Sequence, residues 1–298
     1  MQTILEINNI SKQYRSVLAL NQVSLTVQQG MVFGVLGPNG SGKTTLLSII
    51  LSSVFPTSGT YSWFGSHSEA EARKKIGTLL EKPNFLPNLN AVNNLKMVAN
   101  VKGVPFDKIS DALKKTGMYD RRLSKFSTYS LGMKQRLALA AVLLSDPEVL
   151  VLDEPTNGLD PQGIVDIRNL IIDLSKSGKT ILLASHMLDE VEKVCTHVAI
   201  LKSGKLVGSY EVGTTHDSSI KIEIGASDMT VLGSYLKELP EAKDLKKVNG
   251  YYLFTAHTDF DLASLNKKLL EQGIAVNHLR KIMPNLESAF LSATGGTQ

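Results

Sequence analysis

The chain of 298 residues contains a single cysteine, Cys195, and no long apolar run. One cysteine excludes a disulfide within the chain and a metal site built from several thiolates, and it favours a reducing compartment. The longest apolar candidate, 137–144, is far shorter than the ~18–20 residues that a transmembrane helix requires. Because the strand-like segment 4–10 follows the N-terminus directly, we expect no signal peptide. These absences predict a soluble, cytoplasmic protein.

The chain also lacks a dominant charge of one sign. Its 32 basic and 28 acidic residues leave a net charge of +4, and they are spread along the sequence without a polybasic tail. This distribution is typical of a solvated exterior, so we expect no nucleic-acid partner. The hydrophobic content of 43% is ordinary for a globular protein, and the length allows one large or two modest domains.

A glycine-rich segment, 37–45, carries the strongest chemical signal. It contains the pattern G-x-x-x-x-G-K-[ST] between two apolar segments, which is the strand–loop–helix context of a phosphate-binding loop. Backbone N–H groups of such a loop and the N-terminus of the next helix bind phosphate. We expect Lys43 to reach the β- and γ-phosphates of a nucleoside triphosphate and Thr44 to bind Mg²⁺. The predicted nucleotide-binding residues are Gly37, Pro38, Asn39, Gly40, Ser41, Gly42, Lys43, Thr44 and Thr45.

An acidic pair follows a second strand-like segment. Residues 149–152 are wholly apolar, as in parallel strands covered on both faces, and they lead into Asp153 and Glu154. Side chains alternate along an extended backbone, so the two carboxylates should point in opposite directions. We expect Asp153 to hold Mg²⁺ and Glu154 to activate water against the γ-phosphate, which predicts hydrolysis as well as binding.

The pattern of apolar and polar residues along the chain changes near residue 213. Before that point, short apolar runs alternate with helical periodicities, which predicts an α/β fold with a domain at 1–213. The helical periodicities lie at 43–51, 91–101, 131–144, 161–175 and 188–194. A polar linker, 214–219, leads to two α–β repeats, which predict a small α+β ferredoxin-like domain at 220–298.

The segment Ser130-Leu-Gly-Met-Lys-Gln-Arg136 resembles the signature motif of ATP-binding cassette (ABC) proteins. It opens a predicted helix that Ser130 would cap, while Gly132 would allow the close approach of a phosphate. The resemblance to an ABC transporter ATPase subunit covers about residues 1–210. It implies a cassette with a RecA-like P-loop core, an antiparallel β subdomain and a helical subdomain.

The resemblance implies roles for further residues. Tyr14 would stack on adenine, His186 would contact the γ-phosphate, and Asp160 would face a partner cassette. Glu81 stands where the family usually carries a glutamine, and its carboxylate would approach Mg²⁺.

Two segments indicate a branch of the family. The signature form Tyr-Ser-Leu-Gly-Met-Lys-Gln-Arg resembles that of the bacitracin-resistance and lantibiotic-immunity exporters. The C-terminal segment Pro-Asn-Leu-Glu-Ser-Ala-Phe at 284–290 is similar to the same group.

The implied mechanism is dimeric. One chain would supply the phosphate loop, Asp153, Glu154 and His186, and the opposing chain would supply Ser130 and Gly132 across the nucleotide. A separate transmembrane permease would dock on the helical stretch between Glu81 and Tyr129, which would place the chain peripherally on the cytoplasmic face of the membrane. The alternatives are a soluble ABC ATPase acting on DNA or ribosomes, and an ATP-regulated binding module without turnover. The transported molecule, expected to be a drug, peptide or lipid-like substrate, is not specified by this subunit.

Overall fold

The computed structural model describes residues 2–65, 69–80, 84–213, 219–257, 259–282 and 290. The chain divides into two compact units, Met1–Val212 and Gly213–Gln298. Among the described residues, no helix is both long enough and apolar enough to span a membrane.

The first unit mixes strands and helices. Its strands are β1 (Thr3–Tyr14), β2 (Val17–Gln28), β3 (Val32–Leu36), β4 (Ser58–Trp63), β5 (Ile76–Leu79), β6 (Val149–Asp153), β7 (Thr180–Ser185), β8 (His197–Lys202) and β9 (Lys205–Glu211). Its helices are α1 (Lys43–Ile50), α2 (Glu69–Lys75), α3 (Ala91–Lys102), α4 (Lys108–Lys115), α5 (Leu131–Leu143), α6 (Pro161–Lys176) and α7 (Leu188–Val194), with a 3₁₀ turn at Phe126–Thr128.

The central sheet of this unit has the strand order β5-β6-β7-β3-β8-β9. The first five strands in that order are parallel, and β9 returns antiparallel to β8. Strands β3, β6 and β7 are buried along their whole length, as their apolar sequences predicted for strands covered on both faces. Since these three strands are adjacent and parallel, the segments that follow them meet at one edge of the sheet.

Two smaller layers complete the first unit. An antiparallel sheet with the order β2-β1-β4 packs its buried side chains into the same core as the central sheet. Helices α3, α4 and α5 enclose a separate core that includes Leu95, Leu113, Phe126 and Leu137. The predicted α/β cassette, with its antiparallel β part and its helical part, is confirmed.

The second unit has the element order β-α-β-β-α-β. Its elements are β10 (Ser219–Ala226), α8 (Met229–Glu238), β11 (Lys243–Val248), β12 (Tyr251–His257), α9 (Leu262–Glu271) and β13 (Val276–Ile282). The sheet is antiparallel throughout, with the order β11-β12-β10-β13. Alternate residues of β10, namely Ile220, Ile222 and Ile224, enter a core shared with α8 and α9. Element order and strand order are those of a ferredoxin-like domain.

Candidate nucleotide-binding site

The phosphate-loop segment connects β3 to α1. Gly42 precedes the helix with a φ of 108°, in the left-handed region that favours glycine. Gly37 is needed for a different reason, because a Cβ there would lie 2.3 Å from the carbonyl oxygen of Leu201. The loop is closed by a hydrogen bond of 3.1 Å from Ser41 N–H to Pro38 O. These contacts hold the loop in a tight turn at the carboxyl end of β3.

Lys43 lies across this loop, and its side chain is only 6% exposed. Its Nζ donates hydrogen bonds to the carbonyl oxygens of Gly37, at 2.8 Å, and Pro38, at 3.3 Å. The same ammonium lies 3.4 Å from Oε1 of Glu154. The structure therefore brings together two residues that are more than a hundred positions apart in the sequence, both of which were predicted for the site.

The predicted metal ligands Thr44 and Asp153 also meet. Thr44 Oγ1 donates a 2.8 Å hydrogen bond to Oδ2 of Asp153, and Asp153 is buried at the end of β6. Among the described residues, no group of three or more His, Cys, Asp or Glu side chains could hold a metal ion. One hydroxyl and one carboxylate suit Mg²⁺ bound to a nucleotide, since that ion takes its remaining ligands from phosphates and water. Glu81 lies outside the described residues.

Glu154 is shared between Lys43 and His186. Oε2 of Glu154 lies 2.8 Å from Nδ1 of His186. An ionised carboxylate can only accept, so Nδ1 donates and the ring is oriented by this contact. The two carboxylates thus have different partners, but not through the alternation that the sequence predicted. Glu154 has a φ of 47° and leaves the strand in a left-handed turn, so alternation along an extended backbone does not separate it from Asp153.

The loop also contains a polar atom suited to a phosphate. The hydroxyl of Ser41 is buried and has no hydrogen-bond partner in the part of the chain that the structure describes. A buried hydroxyl without a partner is unfavourable, and a phosphate oxygen would relieve this cost. Together with Lys43 and the backbone N–H groups of the loop, it makes a donor-rich cradle that fits an anion.

The signature residues take a different position in the unit. Ser130 caps α5 by accepting a 3.3 Å hydrogen bond from Met133 N–H, and Ser130 and Leu131 are exposed. A Cβ on Gly132 would have Leu159 at 3.8 Å as its nearest neighbour, which is an ordinary van der Waals contact and no clash. No hydrogen bond between described residues joins Ser130 to the phosphate loop.

Tyr14 lies at the end of β1. Its side chain is 44% exposed, and the ammonium of Lys12 lies 5.0 Å from the ring centroid. An exposed ring at a strand end can stack on a base, although the structure joins it to none of the phosphate-loop residues by a hydrogen bond in the described part.

Asp160 caps a helix, and Cys195 is buried in the protein interior. Asp160 Oδ1 accepts a 3.1 Å hydrogen bond from Gly163 N–H and so caps α6. Cys195 is buried, and its burial raises the pKa of the thiol well above the usual range, which keeps it protonated and unreactive.

One contact beside the site was not predicted. Arg168 on α6 makes a bidentate ion pair with Glu190 on α7, with distances of 2.9 Å and 2.7 Å. The two residues are 22 positions apart and belong to no motif, so the sequence contained no signal that could have paired them.

The comparisons with known proteins agree with this geometry. The sequence profile of the ABC transporter family matches residues 20–157. The bacitracin transport ATP-binding protein BcrA of Enterococcus faecalis is 33% identical over 302 residues, which cover 99% of the chain and 98% of that protein. The lantibiotic transport ATP-binding protein SrtF of Streptococcus pyogenes is 38% identical and covers 68% of the chain and 89% of its own length. A solved dimeric ATP-binding cassette in a post-hydrolysis state with ADP and Pi matches 71% of the chain and 100% of its own length, with a TM-score of 0.63 and 25% identity. The branch predicted from the signature segment is confirmed.

Proposed function

The chain belongs to the ATP-binding, ATP-hydrolysing subunits of ABC transporters, and we propose that it powers the export of a peptide antibiotic through a separately encoded membrane permease. Its likeness to bacitracin and lantibiotic transport proteins supports this substrate class. The observation that carries the proposed mechanism is the contact of Glu154 with both Lys43 and His186. This contact joins a phosphate-binding cation, a base and an orienting histidine at one edge of the sheet.

Each residue of the site has a proposed role in hydrolysis. Lys43 and the buried Ser41 hydroxyl bind the phosphates, and Tyr14 stacks on the adenine ring. Glu154 accepts the proton of the attacking water. His186 holds the Glu154 carboxylate in place through Nδ1, and in its protonated form it would also donate from Nε2 to the γ-phosphate. Mg²⁺ held by Thr44 and Asp153 would neutralise charge on the phosphate oxygens.

We further propose that two chains close on the nucleotide. Ser130 is exposed and Gly132 is half-buried at the start of α5, where the helix N-terminus offers free N–H groups and a partial positive charge to a phosphate. Since these residues make no hydrogen bond to the phosphate loop of their own chain in the described part, they are suited to the nucleotide of a second copy. ATP would then hold the two cassettes together, and its hydrolysis would release them.

The permease is proposed to dock on the helical part of the first unit. Met97 and Val101, one turn apart on α3, are 47% and 89% exposed, and Phe106 beyond the helix is 48% exposed. Neighbouring exposed apolar side chains of this kind mark protein interaction sites. Docking there would place the chain peripherally on the cytoplasmic face of the membrane.

The proposal can be tested with the affinity-tagged chain. Detergent-solubilised membranes should yield a membrane protein that copurifies with it. Expressing both proteins in a sensitive host should raise the minimal inhibitory concentration of bacitracin or of a lantibiotic, and Glu154→Gln should abolish the rise. Glu148→Gln is a matched control, because Glu148 is an exposed acid that pairs with Lys75 away from the site. Unchanged sensitivity to both antibiotics, with ribosomes or DNA recovered in place of a membrane protein, would contradict the proposal.

A further inference from the structure

Each of two candidate catalytic residues lies before a helix in the chain. Glu154 leads through residues 155–160 into α6, and His186 leads into α7. Arg168 on α6 and Glu190 on α7 join these two helices. Nε of Arg168 lies 2.9 Å from Oε2 of Glu190, and Nη2 lies 2.7 Å from Oε1. The pair therefore spans the two elements that continue from the candidate base and the candidate histidine.

The pair is planar, bidentate and largely withdrawn from water. The side chains of Arg168 and Glu190 are 20% and 11% exposed. Two parallel charge-assisted hydrogen bonds fix both distance and orientation, which a single bond from a lysine would not do. Among the described residues, Lys193 is the other cation paired with Glu190, at 3.7 Å from Oε1, and its side chain is half exposed. The guanidinium is thus the partner that sets the geometry.

The packing beside the ion pair is incomplete. A small cavity lies beside the ion pair, lined in part by Pro155, Thr156 and Ser185, which adjoin Glu154 and His186 in the chain. Atoms that line a void lack neighbours on that side, so they oppose a shift of either helix only weakly. The ion pair supplies the restraint that close packing would otherwise give.

On another side, α7 is fixed against the strand that leads into the phosphate loop. A Cβ on Gly34 of β3 would lie 2.9 Å from Sγ of Cys195 and 3.0 Å from Cγ1 of Val191. The helix therefore lies as close to β3 as a glycine permits. Because α7 is held against β3, the ion pair also restrains the position of α6 relative to β3.

We propose that the Arg168–Glu190 pair is a positioning device that sets the distance between Glu154 and His186 during ATP hydrolysis. The inference rests on the proposed roles of those two residues. Neither Arg168 nor Glu190 contacts the phosphate loop, so both act through the helices that carry them. A misplacement of about 1 Å at reacting groups can lower a rate about 100-fold. We therefore expect Arg168→Gln or Glu190→Gln to lower kcat about 10–100-fold with little change in the KM for ATP.

Stability and positioning can be separated with the double variant Arg168→Gln/Glu190→Gln. Each single variant leaves one partly buried charge without its bidentate partner and should lower Tm, whereas the double variant removes both charges. If the pair positions the site, the double variant regains Tm towards that of the wild type while its kcat stays low. Recovery of kcat together with Tm would show that the pair contributes only stability, and would overturn the proposal.

A matched control is provided by the amino ends of the same strands. Lys179 precedes β7 and Asp146 precedes β6, and they form an ion pair of 2.6 Å. This pair joins the segments that enter β6 and β7, at the ends of the two strands that are remote from Glu154 and His186. Asp146→Asn should therefore leave kcat within about twofold of the wild type, in contrast to the losses expected for the positioning pair.

The deciding experiment is a double-mutant cycle with His186→Ala, measured as phosphate release by the purified full-length chain with Mg-ATP, well below the lowest Tm. If Glu190 acts by placing His186 against Glu154, Glu190→Gln should lower kcat no further once His186 is removed. An equal fold-loss in both backgrounds would overturn the proposal. Wild-type kcat in His186→Ala and Glu154→Gln themselves would instead refute the assigned catalytic roles, so the two failures are distinguishable.

Discussion

Replacing Glu154 by glutamine removes one charge at the site while keeping the size of the side chain. In the structure, one carboxylate oxygen lies 3.4 Å from the Lys43 ammonium and the other lies 2.8 Å from Nδ1 of His186. The amide oxygen of glutamine can still accept from His186, so the local fold should survive. Its loss as a base should lower kcat about 10²–10⁴-fold. That factor corresponds to about 3–5 kcal/mol in the activation barrier.

Nucleotide binding should respond in the opposite direction. Lys43 is attracted to Glu154 and to the phosphates through the same ammonium, so the neutral glutamine leaves this cation more available. We therefore expect Glu154→Gln to bind ATP at least as tightly as the wild type. Chains that hold ATP without hydrolysing it should accumulate as dimers, because the dimer separates only after hydrolysis.

Two assays test this prediction. Phosphate release gives kcat, and size-exclusion chromatography with light scattering in Mg-ATP gives the dimer fraction. Glu148→Gln removes an equivalent charge from an exposed ion pair and should behave as the wild type in both assays. A Glu154→Gln variant with near-normal kcat would refute the assignment of the base. A variant that is inactive yet strictly monomeric in Mg-ATP would refute the sandwich mechanism.

Three further predictions concern other parts of the chain. Lys43→Ala should abolish ATP binding or hydrolysis, because it removes the buried ammonium group that binds the phosphates. Titration with a fluorescent ATP analogue measures binding and phosphate release measures hydrolysis. Near-normal values of both would contradict the assignment of the nucleotide site. The hydrogen bond from Lys179 lowers the pKa of Asp146, so the pair stabilises the fold above the unfolded-state pKa and loses this effect as the pH falls through the folded-state pKa. Asp146→Asn should thus lower the free energy of unfolding by less than about 1 kcal/mol at neutral pH, seen as a slightly lower Tm, and should have no effect in acid. A Tm that stays below that of the wild type in acid would show that loss of the ion pair is not the reason. Removing 214–298 should leave ATP affinity unchanged while weakening dimerisation or permease coupling, and loss of ATP binding in a truncated chain that still folds would show that the second unit contributes to the site.

Local sequence signals predicted the parts of the fold that depend on neighbours along the chain. The helices predicted at 43–51, 91–101, 131–144, 161–175 and 188–194 all form, with their ends displaced by no more than one residue. Ser130 and Asp160 accept hydrogen bonds from backbone N–H groups of the first turn, which is why capping residues mark helix starts so well. The apolar strands β6 and β7 were equally clear, because burial on both faces requires an unbroken apolar run.

Elements whose stability depends on distant partners were missed. Strand β11 reads Lys-Asp-Leu-Lys-Lys-Val and shows no apolar alternation, since it lies at the edge of its sheet and is largely exposed. Lysines on an edge strand oppose pairing with other chains, so the polar sequence that hides the strand also protects it. Helix α4 was not given bounds of its own within the helical stretch between Glu81 and Tyr129, although its buried Ile109, Ala112 and Leu113 line one face, because its eight residues are fewer than the about 11–18 over which a helical period is read.

The site shows the same division between local and distant information. The glycine-loop pattern encodes its own backbone path, so Gly37, Gly42 and Lys43 could be assigned from spacing alone. The left-handed conformation of Glu154 could not be read in this way, because nothing in the local sequence marks it. Glu154 N–H donates to Ala184 O on β7 at 3.0 Å, which is the last hydrogen bond of the ladder between β6 and β7. His186 follows Ala184 by two residues, so the parallel pairing of the two strands brings the candidate base to its histidine.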